Sequence, residues 1–166
     1  MSMRADYHQL YLAYLVYFNR DRDYFECHEV LEELWIEKEH APIYKGLLQI
    51  AVGLYHFRNG NVRGAKMMLE SAVELLKPYP EQAMGIHLGK LVRETEAYRD
   101  QLRTYPENPI AYYDLDIEIV DEKLLAAVEE AGRQIKPNIP QRRSPTRGKI
   151  YEQRMASLKS QQEVSE

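Results

Sequence analysis

Apolar residues recur every three or four positions through most of the first 105 residues of the chain. This spacing is typical of amphipathic helices, because about 3.6 residues complete one helical turn. Glycine, proline and N-cap residues interrupt the pattern at short intervals. The pattern predicts helices near residues 4–19, 23–39, 42–58, 61–77, 81–104 and 121–135. Short connections favour antiparallel neighbours, so the predicted fold class is all-α, with about six helices in antiparallel hairpins.

The stretch between the fifth and sixth predicted helices lacks this spacing. Residues 106–120, PENPIAYYDLDIEIV, contain two prolines and then alternate acidic with apolar residues. A lone strand has no partner here, so we predict an extended segment that crosses the helices. The preceding helix has a single apolar seam, which favours packing against the core. That seam contains Met84, Leu88, Leu91, Thr95, Tyr98 and Leu102.

An internal repeat organises the first half of the chain. Residues 23–35 align without a gap with residues 61–73, which implies two helical hairpins about 38 residues apart. The second hairpin resembles a tetratricopeptide repeat, whose helices pack closely at small residues. Its period is longer than that of the repeat, and Pro78 is displaced by about one residue. The matching small and apolar positions are Gly53, Gly60, Ala65, Leu69, Ala72 and Pro78.

Composition and charge restrict the classes of protein that remain. The 166 residues are 45% hydrophobic and 29% charged, which suits one globular domain with its own core. The net charge of −4 disfavours a surface that binds phosphates, so no nucleic-acid partner is expected. A leader pattern and an apolar run of about 18 residues are both missing, so no membrane partner is expected. The single Cys27 fits an apolar helical face, which suits a core position in the reducing cytoplasm.

The C-terminal part of the chain differs from the rest in charge. From residue 136 onward there are seven basic and three acidic residues, whereas the first 135 residues contain 15 basic and 23 acidic ones. We therefore divide the chain into a helical domain, residues 1–135, and a basic, proline-containing tail, residues 136–166. The tail is either solvated or loosely docked, or it is an arm that recruits a partner.

Polar residues interrupt the apolar face of the second predicted helix, where residues 23–35 read DYFECHEVLEELW. At about 100° per residue, His28 and Glu32 fall inside the apolar sector, and Glu29 falls at its border. These positions raise the question of why a helix that buries apolar residues should also carry an imidazole and two carboxylates.

The third predicted helix is apolar nearly all round, which is typical of a buried central helix. Lys45, Gln49 and His56 are the exceptions, and they share one stripe. If this stripe faces the second helix, Gln49 and His56 meet His28 and Glu32 in the interior. Glu29 and Lys45 then lie at the mouth of the cluster.

A buried imidazole or carboxylate is costly unless it is paired or bound to a metal, and three interpretations stay open. The first is a satisfied hydrogen-bond network, in which Gln49 and His56 close a pair formed by His28 and Glu32. The second is a divalent metal site for Zn, Mn or Fe, held by His28, Glu32 and His56. The third is a metal-free acid–base site, with Glu32 or Glu29 as the base and a histidine as the proton shuttle.

Some alternatives can be set aside from the sequence. The zinc-protease motif H-E-x-x-H needs a second histidine where this chain has Glu32, so we reject that mechanism. His8, His40 and His87 fall outside both polar stripes and are predicted to lie at the surface. Trp35 is most simply interpreted as a core anchor.

Three stretches of the chain resemble a bacterial and plant family of small helical proteins, the domain of unknown function 309. They are FNRDRDYFECHEVLEELW at 18–35, KGLLQIAVGLYHFRNGN at 45–61 and GAKMMLE at 64–70, and the family-like core covers about residues 10–80. The resemblance implies a multihelical fold and no established activity. The residues that match its signature, which includes H-E-x-x-E-x-x-W, are His28, Glu29, Glu32, Trp35, Gln49 and His56.

Two hypotheses about function follow. The first is an interaction or scaffold module with a buried His/Glu cluster, which meets a protein partner or forms a homo-oligomer. The alternative is a small metal-dependent or acid–base enzyme of hydrolase type, with His28, Glu29, Glu32 and His56 as its reactive cluster. Trp35, Lys45 and Gln49 are then binding or network residues. The enzyme hypothesis predicts a site that is open to solvent, and the module hypothesis predicts a closed one.

Overall fold

Helices account for most of the residues that the computed structural model describes, which are residues 7–137. A π-helical stretch, Tyr17–Asp21, continues the first helix. Between residues 7 and 137 the extended chain forms isolated bridges and no strand. The predicted all-α fold class is therefore confirmed. The helices are α1 (Gln9–Val16), α2 (Tyr24–Glu37), α3 (Pro42–Arg58), α4 (Val62–Leu76), α5 (Leu88–Arg103) and α6 (Glu122–Gln134).

The helices of the repeat begin at the residues whose side chains can cap them. The carboxylate of Asp23 accepts a hydrogen bond from the backbone N–H of Glu26, and the amide oxygen of Asn61 accepts one from Gly64. Pro42 occupies the first turn of α3, where a missing N–H does no harm. These local signals explain why the predicted starts of α2, α3 and α4 lie within one residue of the observed ones.

Consecutive helices pack side by side from α1 to α5, and α6 returns to pack against α1. The α3–α4 contact is especially close, because α3 presents glycine where α4 presents leucine. A Cβ atom built on Gly53 would lie 2.6 Å from Cδ2 of Leu69, and one on Gly46 would lie 2.5 Å from Cγ of Leu76. The pairing runs antiparallel, as the short connection requires. Close packing at small residues agrees with the tetratricopeptide-like prediction for this hairpin.

The fifth helix is shorter than predicted. It begins at Leu88 instead of residue 81, and the seven residues before it form turns in which Met84 and Gly85 have φ values of 53° and 76°. The carbonyl of Gly85 accepts hydrogen bonds from the N–H groups of Val120 and Asp121. Met84 is thus not part of the helical seam. The other five seam residues are buried, which confirms that the seam faces the core.

Residues 106–120, called the crossing segment below, form neither helix nor strand, as predicted. Leu115 and Ile117 are buried while the acidic residues between and beside them face solvent. The side chain of Asn19 bonds both backbone groups of Ile117, donating to its carbonyl at 2.8 Å and accepting from its N–H at 2.9 Å. Arg22, at the corner before α2, donates to the carbonyl of Leu115. Side chains of the first helical corner, together with the backbone of residues 85 and 87, therefore hold the segment without forming a sheet.

The ends of the chain lie largely outside this description. The predicted basic tail, residues 136–166, is outside the described residues from residue 138 onward, so its boundary stays a prediction. Among residues 7–137, no helix is long and apolar enough to span a bilayer.

Candidate metal centre

Helix α2 brings one imidazole and two carboxylates together on its surface. His28 and Glu32 are one helical turn apart, so their side chains lie on the same face. The Nε2 atom of His28 is 3.0 Å from Oε2 of Glu32, and its Nδ1 atom is 3.6 Å from Oε2 of Glu29. Each nitrogen of the ring therefore faces a carboxylate. The sequence-based pairing of His28 with Glu32 is present in the structure.

These three residues can present their ligand atoms to a single point. One ligand atom from each of His28, Glu29 and Glu32 lies within 4.8 Å of the other two. Among the described residues, His28, Glu29 and Glu32 are the group of three histidine, cysteine or acidic residues whose ligand atoms lie this close together. One histidine and two carboxylates form a donor set that suits Zn²⁺, Mn²⁺ or Fe²⁺.

The depths of the three residues differ from those expected. We expected Glu29 at the mouth and His28 and Glu32 in the interior. Instead the side chain of Glu29 is 4% exposed, whereas those of His28 and Glu32 are 34% and 31% exposed. The position on a helical wheel gives the direction of a side chain but not the segment that covers it. The cluster therefore has a buried acidic floor and an imidazole–carboxylate pair that reaches solvent.

Helix α3 runs antiparallel to α2 and lies beside this cluster. The rings of Phe25 and Tyr55 are 6.1 Å apart at one end of the pair, and the ammonium of Lys45 is 4.5 Å from the ring centre of Trp35 at the other. Trp35, which the sequence analysis interprets as a core anchor, is half-buried. Its ring also meets that of His40 edge-on at 4.3 Å.

The stripe on α3 is only partly as predicted. Gln49 is 7% exposed, and its Oε1 atom has no hydrogen-bond partner among residues 7–137. His56 is half-buried and its ring lies 6.1 Å from that of Tyr55. It does not belong to the group formed by His28, Glu29 and Glu32. The metal ligand set proposed from the sequence therefore changes, with Glu29 present in place of His56.

The remaining histidines form separate surface contacts. His8 lies 3.0 Å from a carboxylate oxygen of Glu37, and His87 lies 2.8 Å from Glu81. His40 is exposed. All three are at least partly exposed, in agreement with their predicted surface positions, and none joins the α2 cluster.

The sequence places Glu29 in the reactive cluster of a metal-dependent or acid–base enzyme, but not among the expected metal ligands. Glu29 points about 100° from its neighbour His28, although it lies three residues before Glu32, where side chains on a helix are neighbours. A glutamate side chain is long enough to span that difference, and the 3.6 Å contact between Glu29 and the ring of His28 shows that it does so. The spacing of residues along the sequence does not reveal which side-chain conformation Glu29 adopts.

Comparison with known proteins places this site within a family. The family model described as Domain of unknown function (DUF309) matches residues 11–68, which include the α2 cluster and the α3 stripe. An "Uncharacterized protein YpuF" of Bacillus subtilis (strain 168) is 37% identical over 132 residues, covering 76% of this chain and 71% of that protein. An "Uncharacterized protein" of Aquifex aeolicus (strain VF5) is 31% identical over 72 residues, covering 42% of this chain and 22% of that protein. No solved structure matches the chain. The family match and the extent of the Bacillus alignment confirm the resemblance seen in the sequence: the chain belongs to the DUF309 family.

Proposed function

We propose that the protein binds a divalent transition-metal ion through His28, Glu29 and Glu32, and that it uses the ion in a hydrolytic reaction. The observation that carries this proposal is the convergence of three ligand atoms, one from each residue, within 4.8 Å of one another. All three residues lie on α2, whose register is fixed by the cap at Asp23. A single rigid helix therefore positions the whole ligand set.

The distances suit a metal ion with small adjustments. Nitrogen and oxygen ligands bind Zn²⁺ at roughly 2.0–2.2 Å, so two ligands of one ion lie about 3 to 4 Å apart. The observed separations reach at most 4.8 Å, and side-chain rotations can close the difference. Nε2 of His28 lies nearest Glu32 and Nδ1 lies nearest Glu29, so binding through either nitrogen requires the other glutamate side chain to rotate toward the ion.

The exposure of the cluster supports a metal site over a closed network. A hydrogen-bond network that only fixes helix packing is expected to be buried and fully satisfied. Here about a third of the His28 and Glu32 side chains is exposed. An ion held there keeps a side open toward solvent, which is the arrangement of catalytic rather than structural metal sites.

The chemistry follows from the donor set. A divalent cation at this position supplies Lewis-acid catalysis, which suits hydrolysis of a polarised carbonyl or phosphoryl bond. The protein contributes two negative charges, from Glu29 and Glu32, which compete with water molecules as ligands of the ion. The buried Glu29 also restricts the ring of His28.

Metal binding is tested on the untagged full-length chain. We expect metal analysis by plasma mass spectrometry to find close to one equivalent of Zn, Mn or Fe. Isothermal titration of the demetallated protein should give one site, and added metal should raise Tm. His28→Ala and Glu32→Gln should each weaken binding by at least about 100-fold.

His87→Ala is the matched control. Its ring also contacts two carboxylates, at 2.8 Å and 3.7 Å, but these residues do not form a convergent group of three. Glu81 is in addition bound by Arg93. We therefore expect His87→Ala to bind metal like the wild type. Equal metal affinity of the wild type and a His28→Ala/Glu32→Gln double variant would refute the metal site.

The interaction-module hypothesis stays a prediction with its own signature. If the cluster only fixes packing, His28→Ala should lower the free energy of unfolding by about 1 to 3 kcal/mol in metal-free protein. If the cluster is a metal site, this variant should change the metal-free stability little, because the ring is partly exposed. The module hypothesis also includes a protein partner or a homo-oligomer. Light scattering on the purified chain measures its molar mass and so tests for a homo-oligomer.

A further inference from the structure

The strip of α3 that borders the cluster carries polar groups that the metal site does not use. Lys45 and Gln49 are one helical turn apart, so their side chains lie on the same face of α3. The contact between Lys45 and Trp35 and that between Tyr55 and Phe25 align this part of α3 with α2. Gln49 lies about 6 Å along the helix from Lys45. Both residues are therefore close to the level of Glu32, which lies about 4.5 Å along α2 from Trp35.

Lys45 is a half-buried cation that forms no ion pair with any residue between 7 and 137. Its ammonium lies 4.5 Å from the ring centre of Trp35, and no carboxylate among the described residues is within ion-pair distance of it. The indole face stabilises the ammonium through a cation–π interaction. This interaction leaves the three N–H donors of the ammonium able to bind an anion.

Gln49 supplies a second unsatisfied group. Its side chain is more than nine-tenths buried, and Oε1 accepts no hydrogen bond from any residue between 7 and 137. Buried amide oxygens are nearly always paired. An N–H or O–H donor from a ligand is the complementary group, and the side chain of Gln49 must turn toward the cluster to meet it, because Oε1 is closed to solvent.

The charge of the metal-bound site selects the ligand further. The carboxylates of Glu29 and Glu32 offset the charge of a divalent cation. The ammonium of Lys45 then leaves the occupied site with a net positive charge. A singly charged carboxylate neutralises this charge, whereas a doubly charged phosphate would leave an uncompensated negative charge at a partly buried site.

From these observations we infer that the site binds a small molecule that carries a carboxylate next to a hydrogen-bond donor, as in an N-acylated amino acid. The carboxylate binds the ammonium of Lys45, and the donor binds Oε1 of Gln49. The functional group to be hydrolysed lies toward His28 and Glu32. This inference names the substrate class of the proposed metal site and therefore rests on the proposed function.

The test uses Trp35, which is the single tryptophan of the chain, as a fluorescent reporter. The zinc-loaded full-length protein is titrated with N-acetylglycine, with acetate, which lacks the amide donor, and with N-acetylglycinamide, which lacks the charge. We expect N-acetylglycine to bind most tightly and the neutral amide most weakly. Isothermal titration with the same three probes provides a check that does not depend on fluorescence.

Two variants separate the proposed contacts. Lys45→Met keeps an apolar side chain over Trp35 but removes the ammonium, and it should weaken N-acetylglycine binding by at least about ten-fold. Gln49→Met should weaken it by about two- to ten-fold and leave acetate binding unchanged. The control is Lys77→Met, which removes an ammonium already paired with Glu96 at 3.5 Å and should bind like the wild type. Zinc affinity should change little in all three variants.

The outcomes distinguish the two proposals. Normal zinc binding with equal N-acetylglycine affinity in the wild type and Lys45→Met would overturn this inference and leave the metal site intact. No zinc binding, with N-acetylglycine still bound in a Lys45-dependent manner, would overturn the metal site alone. Gln49→Met binding N-acetylglycine as tightly as the wild type would overturn the assignment of the donor contact.

Discussion

Replacing Gly53 with alanine tests whether close α3–α4 packing stabilises the fold. A methyl group at this position would lie 2.6 Å from Cδ2 and 2.9 Å from Cγ of Leu69, and 3.4 Å from the backbone oxygen of Ala65. Leu69 is fully buried, so it cannot move without displacing other core residues. Overpacking of this kind destabilises by about 1 to 3 kcal/mol.

Alanine also has a higher helix propensity than glycine, worth up to about 1 kcal/mol in a helix interior. We therefore expect Gly53→Ala to lower the free energy of unfolding by a net amount of about 1 to 2 kcal/mol. This corresponds to a decrease in Tm of roughly 3 to 8 °C for a domain of this size. Urea unfolding at 25 °C, followed by far-ultraviolet circular dichroism, measures the change directly.

Gly132→Ala provides the matched control within the same chain. Gly132 lies inside α6, and the nearest atom to its built Cβ is 3.5 Å away, an ordinary contact. This substitution should raise stability by about 0.5 to 1 kcal/mol through helix propensity alone. The reasoning would be wrong if Gly53→Ala were as stabilising as Gly132→Ala. It would also fail if the double variant Gly53→Ala/Leu69→Ala lost as much stability as the two single variants added together, because the clash should disappear once Leu69 is shortened.

Three further predictions concern other parts of the fold. Hydrogen bonds from Arg93 and His87 lower the pKa of Glu81 from 4.5 to about 2, so the stabilisation is present above pH 4.5 and is lost as the pH falls toward 2. Glu81→Gln should flatten the fall in Tm over this range, and an unchanged slope would contradict the assignment. The hydroxyl of Tyr98 donates a hydrogen bond to the carbonyl of Tyr113 in the crossing segment, at 2.9 Å, and accepts one from the N–H of the same residue, at 3.1 Å. Tyr98→Phe should therefore lower the free energy of unfolding by about 1 kcal/mol in urea titrations. Burial raises the pKa of the Cys27 thiol, so a disulfide reagent should react with it only as fast as the protein unfolds. Rapid modification of the native protein would show that Cys27 is accessible.

Local sequence signals account for most of the helical architecture. The caps at Asp23 and Asn61 and the proline at position 42 act within one turn, so the bounds of α2, α3 and α4 follow from neighbouring residues. The start of α5 does not, because residues 81–87 are held by the crossing segment more than 30 residues away. Apolar spacing cannot reveal a hydrogen bond formed by a distant carbonyl.

The candidate site shows the same division. The spacing of His28 and Glu32 predicts their contact, and the 3.0 Å distance agrees with it. The burial of Glu29 and the separation of His56 from the cluster depend on how two helices and their side chains meet. Both depend on tertiary packing, so they cannot be predicted from the helical wheel of one helix.

The crossing segment also bears on the order in which the chain folds. Asn19 bonds Ile117 across 98 residues of sequence, and Tyr7 bonds Asp121 across 114. Contacts of such separation form late, because closing a long loop costs conformational entropy before the contact is made. The contacts between α2, α3 and α4 join neighbouring segments and have no such barrier. We expect pulsed hydrogen exchange during refolding to protect the amides of these hairpins first and that of Ile117 last, so that α2, α3 and α4 become ordered before the crossing segment binds to them.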